Sequence, residues 1–115
     1  LILLGRPELD MNLRQVPDFN DRVATRSSLD PLTPDDTRAL IDYRLLAAGR
    51  DTKLQPLFAP DSVMPIWSET RGYPRRICFL CLHLCLELLD SGGFQIDGAF
   101  VEDFLENNPG YRHAE

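Results

Sequence analysis

Residues 72 to 93, GYPRRICFLCLHLCLELLDSGG, hold all three cysteines of the chain and one of its two histidines. The pattern C-x-x-C-x-H-x-C offers the ligand types of a zinc or thiol redox site. Its spacing argues against both. On a helix Cys78, Cys81 and Cys85 fall at i, i+3 and i+7 and share one stripe, while His83 points well away from it. Four ligands on one continuous helix cannot surround an ion tetrahedrally, and no second Cys/His pair follows. A redox C-x-x-C caps a helix after a strand, whereas this one lies inside an apolar run. From Arg76 to Asp90 only Arg76, His83, Glu87 and Asp90 are polar around that helix, and they gather on one narrow face. Such a helix is expected to be central and buried, with its cysteines packed as small hydrophobes and His83 and Glu87 as a solvated i, i+4 pair.

The same stretch opens with Arg75 and Arg76. Pro74 suits the first helical position, which puts both arginines in the first turn, where each opposes the macrodipole by a few tenths to about 1 kcal/mol. Arginine beside the free N–H groups of a helix start makes an anion site, and phosphate is its usual occupant. The alternative is a salt bridge to one of the eighteen acids.

The elements that must position these residues follow from pattern and punctuation. LILLG (1–5) reads as a buried strand, PELDMNL (7–13) as a helix, QVPDFND (15–21) as a turn, and RVATRSSLDPL (22–32) as a second strand with Val23, Thr25 and Leu29. From residue 33 the period becomes helical. Thr33 is the N-cap and Pro34 the first residue of a helix with Asp35 and Asp36 in its first turn, where Asp36 also stands as a weak capping-box acid. Its apolar face is Leu40, Ile41, Leu45 and Ala48, and Gly49 stops it. A second helix, in 59–72, is interrupted by Pro65; the third is the cysteine helix, closed by Gly92 and Gly93. A fourth, 97–107, has Asp97 as N-cap and turns Phe100, Val101, Phe104 and Leu105 inward. The fold class expected is mainly α, a four-helix bundle (33–107) preceded by a short strand–helix–strand segment (1–32) and followed by a frayed tail (108–115).

Bulk properties narrow the function. At 115 residues and a net charge of −6 the chain is one ordinary domain in size, and its acidity argues against non-specific binding to nucleic acid or anionic membrane. Eleven of its twelve basic residues are arginine. An odd number of cysteines without a secretory signal fits a reducing, cytoplasmic setting, and no apolar run has the length of a membrane span. The chain starts at Leu1, and LILLG has nothing before it to pair with, as expected of a piece of a larger protein.

In this order and spacing, LILLGRPEL, DRVATRSSLDPLTPDDTRALIDYRLLAAG, PLFAPDSVMPIWSETRGYPRRI and QIDGAFV resemble the C-terminal part of an AAA+ ATPase module, nearest to the secretion and pilus-biogenesis ATPases of the ExeA/MSHA type. The resemblance covers about residues 1 to 103 and implies that 1–32 end an α/β P-loop core and 33–107 form the helical lid. GYPRR matches the sensor-2 motif, so Arg75, presented by Gly72 and Pro74, would reach the nucleotide phosphates. Arg22 matches an arginine finger directed at a neighbouring subunit, with Arg26 as runner-up. Pro31 and Leu32 match the hinge beside the adenine, and Arg6 stands where a polar sensor-1 residue is expected. The cofactor implied is ATP, with Mg in the whole protein. The partners implied are the ATPase core of the same protein, neighbouring subunits of a homo-oligomer, and secretion or pilus-assembly components. ExeA-like proteins often carry a membrane span downstream. There is no G-x-x-x-x-G-K-[ST] here, so this chain alone is not expected to hydrolyse ATP. The rival reading is a stand-alone helical interaction module that self-associates through LILLG.

Overall fold

A computed structural model describes residues 1–111. The chain forms two compact units, Leu1–Asp30 and Pro31–Glu115.

The first unit holds α1 (Glu8–Arg14) and the short α2 (Pro17–Asn20). Glu8 and Asp10 sit in the first turn of α1 and Arg14 in its last, each complementing the dipole, and Arg14 Nε is 3.1 Å from the Asp10 carboxylate. The segment 15–21, expected as a turn, contains α2. The strands expected at 1–5 and 22–32 are not formed: no β pairing joins either stretch to another described residue. A strand exists only when a neighbour accepts its N–H groups, and here neither has one. No residue of 1–30 is buried.

The second unit is a bundle of α3 (Pro34–Ala47), α4 (Val63–Thr70), α5 (Pro74–Ser91) and α6 (Gly98–Asn107). Thr33 caps α3, its hydroxyl accepting from the Asp36 N–H at 3.1 Å, and Asp97 caps α6 through the Phe100 N–H at 2.8 Å. Gly49 ends α3 at φ +93°, with the Gly49 N–H on the Leu46 carbonyl and the Arg50 N–H on the Leu45 carbonyl, a Schellman closure. Pro65 does not interrupt α4. It is the third residue of that helix, where its missing N–H has no intrahelical partner to lose, and a 3-10 turn, Pro60–Ser62, leads in. Phe58 and Ile96 form a parallel bridge: the Ala59 N–H donates to Ile96 O at 2.8 Å and the Ile96 N–H to Leu57 O at 2.7 Å. Around that bridge Ile41, Ile66, Ile77, Leu80, Leu84, Val101 and Leu105 make one core.

Two expectations change. α5 is not central: it buries Ile77, Leu80, Leu84 and Leu88, while Phe79, Leu82, Leu86 and Leu89 on its adjoining face remain 57, 55, 51 and 77% exposed. Its neighbours α3, α4 and α6 cover only part of the apolar arc. Of the tail, Asn108 Nδ2 donates to Phe104 O at 2.8 Å and Tyr111 packs edge-on to Phe104; residues 112–115 lie outside the described residues.

Candidate functional site

The turn from α4 to α5 reverses the chain in three residues. Arg71 and Gly72 both take left-handed backbone, φ +56° and +80°, the Arg71 N–H reaching Trp67 O at 2.7 Å and the Tyr73 N–H reaching Thr70 O at 3.1 Å. Glycine is required at the second of these positions, because a Cβ on Gly72 would stand 2.1 Å from Leu32 O. That closeness belongs to a clamp. The Leu32 N–H donates to Gly72 O at 2.8 Å, and the Trp67 indole N–H donates to Leu32 O, also at 2.8 Å. Residue 32, which leads into α3, is thereby fixed to the turn that begins α5.

Pro74 occupies the first position of α5, as its sequence predicts; Tyr73 supplies no side-chain cap, and no acid lies in the first turn. Arg75 and Arg76 thus add positive charge to an end where backbone N–H groups are unsatisfied. Both line a cleft of about 300 Å³ with Glu69, Thr70, Phe79, Leu80 and Tyr111. Arg75 is exposed and, among the described residues, forms no ion pair. Its charge is therefore not spent on a structural partner. Glu69 is an acid on the cleft wall, so any anion there meets mixed charge. Thr70 turns its hydroxyl into the helix, onto Ile66 O at 2.8 Å.

Arg22 and Arg26 belong to the first unit. Arg26 is engaged there, its guanidinium donating to the Asp10 carboxylate and to the Asn20 side-chain carbonyl. Arg22 is exposed just after α2. Pro31 and Leu32 begin the second unit, with Leu32 packed against the core.

The three cysteines are partly buried and form no disulfide. Burial, reinforced by Cys85 and then Cys78, pushes the Cys81 thiol up to about 12, and burial also raises Cys85. Such thiols are poor nucleophiles and poor ligands at neutral pH. His83 departs from its expected pairing with Glu87. Its Nδ1 lies 2.9 Å from Phe79 O, and its ring sits 4.5 Å from that of Phe79 and 5.4 Å from that of Tyr111.

Trp67, Thr70 and Tyr111 were not readable as parts of this site. Trp67 and Leu32 are 35 residues apart, and no local pattern announces their bond.

Comparison with known proteins supplies context. General secretion pathway protein A of Aeromonas hydrophila is 31% identical to the chain over 98 residues. This supports an ExeA-type, secretion-related relationship. The match takes in 84% of this chain but only 17% of that protein. No family model matches the chain, and no solved structure does. Among the described residues no helix is long and apolar enough to cross a membrane.

Proposed function

We propose that this chain is the lid and sensor-2 portion of an AAA+ ATPase that couples ATP binding and hydrolysis to secretion. The observation that carries the reading is Arg75: an arginine without an ion pair among the described residues, in the first turn of an uncapped 18-residue helix, beside a cleft. An arginine placed there costs stability and gains nothing within the lid, whereas toward a phosphate its charge and the helix N–H groups act together. The similarity to a secretion-pathway protein agrees with the setting.

In this reading ATP is held chiefly by the rest of the parent, which also supplies the Mg site. Arg75 contacts the γ-phosphate, with Gly72 and Pro74 fixing its height. Arg22, which is exposed, is the finger offered to a neighbouring subunit, because Arg26 is already held by Asp10. Pro31 and Leu32 form the hinge. The Leu32 N–H is committed to Gly72 O, so Leu32 meets an adenine with its side chain rather than with that donor. Rotation of the lid about this hinge reports the presence of the γ-phosphate to neighbouring subunits and to the secretion or pilus machinery.

The test is Arg75→Ala in the full-length parent, with Arg75→Lys beside it. A fall in ATP turnover together with loss of nucleotide-driven closure supports the role. Turnover and nucleotide response both equal to wild type sink it. A second reading, a helical module that self-associates, is favoured by the exposed stripe on α5.

A further inference from the structure

We propose that the uncovered face of α5 is the surface through which two copies of this chain pair, antiparallel, along Phe79, Leu82, Leu86 and Leu89. These four residues stand at i, i+3, i+7 and i+10, the a and d positions of two heptads, and each is more than half exposed. Single exposed apolar residues are ordinary. Four in register on one helix form a seam, and its length, about 15 Å at 1.5 Å per residue, suits a short helix-to-helix contact.

The seam matches itself. With two copies antiparallel and centred at the level of Leu84, Phe79 faces Leu89 of the partner subunit and Leu82 faces Leu86 of the partner subunit. Charge selects the orientation. Arg76 flanks the seam at the start of α5 and Asp90 flanks it near the end, both on the polar strip that borders the exposed leucines. Antiparallel pairing sets Arg76 beside Asp90 of the partner subunit at both ends and lays the two macrodipoles side by side in opposite senses. Parallel pairing would set arginine against arginine and aspartate against aspartate. Arg75 falls one turn before the seam, opposite Gly93 of the partner subunit. The pairing does not require the nucleotide reading, although Phe79 is shared between the seam and the cleft beside Arg75, and it differs from self-association through residues 1–5.

The experiment is sedimentation equilibrium of the chain across the micromolar range, with Leu82→Glu/Leu86→Glu, Asp90→Arg, and Arg76→Glu/Asp90→Arg. Wild type is expected to pass from monomer to dimer. The leucine double variant should dimerise at least ~10-fold more weakly, with unchanged circular dichroism and urea midpoint, because neither side chain is in the core. Asp90→Arg should weaken pairing and the charge-swapped double variant should restore it. A wild type that stays monomeric overturns the proposal. So does a dimer that survives Leu82→Glu/Leu86→Glu, which would move the contact elsewhere, or one that Asp90→Arg leaves unweakened.

Discussion

The Leu32 N–H donates to Gly72 O at 2.8 Å, and the return approach is so close that a Cβ on Gly72 would stand 2.1 Å from Leu32 O. The segment entering α3 and the turn entering α5 are therefore tied together, although 40 positions (72 − 32) separate them. Gly72→Ala adds left-handed strain and breaks that bond, and should cost about 2–3 kcal/mol. Gly49→Ala, at φ +93° with nothing within 4 Å of its Cβ, carries strain alone and should cost about 1 kcal/mol. Urea denaturation of both variants checks the difference.

Trp67→Phe removes the indole donor to Leu32 O and should cost about 1 kcal/mol. Because Trp67 is the chain's one tryptophan, its fluorescence also reports on the tie between Leu32 and Gly72. A quencher should reach it more readily in Gly72→Ala than in wild type.

Thr37 is fully buried in α3, and its hydroxyl has no hydrogen-bond partner among the described residues. Thr37→Val keeps the shape and removes the stranded polar atom, so it should raise stability by about 1 kcal/mol. A lower melting temperature in the variant would show that the hydroxyl is in fact satisfied.

Cys81 ionises near 12 in the folded chain against an ordinary 9.0. The thiol is neutral in the native state until the pH is well above the unfolded value. Its stabilising contribution is therefore whole below pH 9.0 and is lost as pH rises from there toward about 12. Urea midpoints should fall through that window, and Cys81→Ala should flatten the fall. In native protein, alkylation at Cys81 should lag that at Cys78.

Arg75→Ala should act in opposite directions on the two properties it touches. The isolated chain should gain a few tenths of a kcal/mol, because a positive charge leaves the first turn of α5. The full-length parent should lose turnover. A variant that loses both points to a structural arginine instead.

The helices were legible because their signals are local. Thr33–Pro34, Tyr73–Pro74 and Asp97 start α3, α5 and α6 where expected, and Gly49 and Gly92 end α3 and α5 in left-handed backbone. The stretches LILLG and 22–32 were misread because β propensity says nothing about whether a partner strand is present. Periodicity located the polar strip of α5 correctly, but it cannot tell how much of the remaining arc the neighbouring helices cover. For the site, Arg75 and its turn were visible as Gly72, Pro74 and a charge against the dipole. The clamp through Trp67 was not, because it joins residues that only the tertiary fold brings together.

The Phe58–Ile96 bridge also bears on the order in which the bundle assembles. Its partners lie 38 positions apart (96 − 58), with α4 and α5 in the loop between them. Closing such a loop costs roughly 3 kcal/mol of chain entropy before any contact repays it. The α4–α5 hairpin, joined by a three-residue turn, needs no such closure and can form first. The bridge then acts as a late latch, and a chain cut after α5 keeps its hairpin while Phe58 and Ala59 lose the segment that holds them.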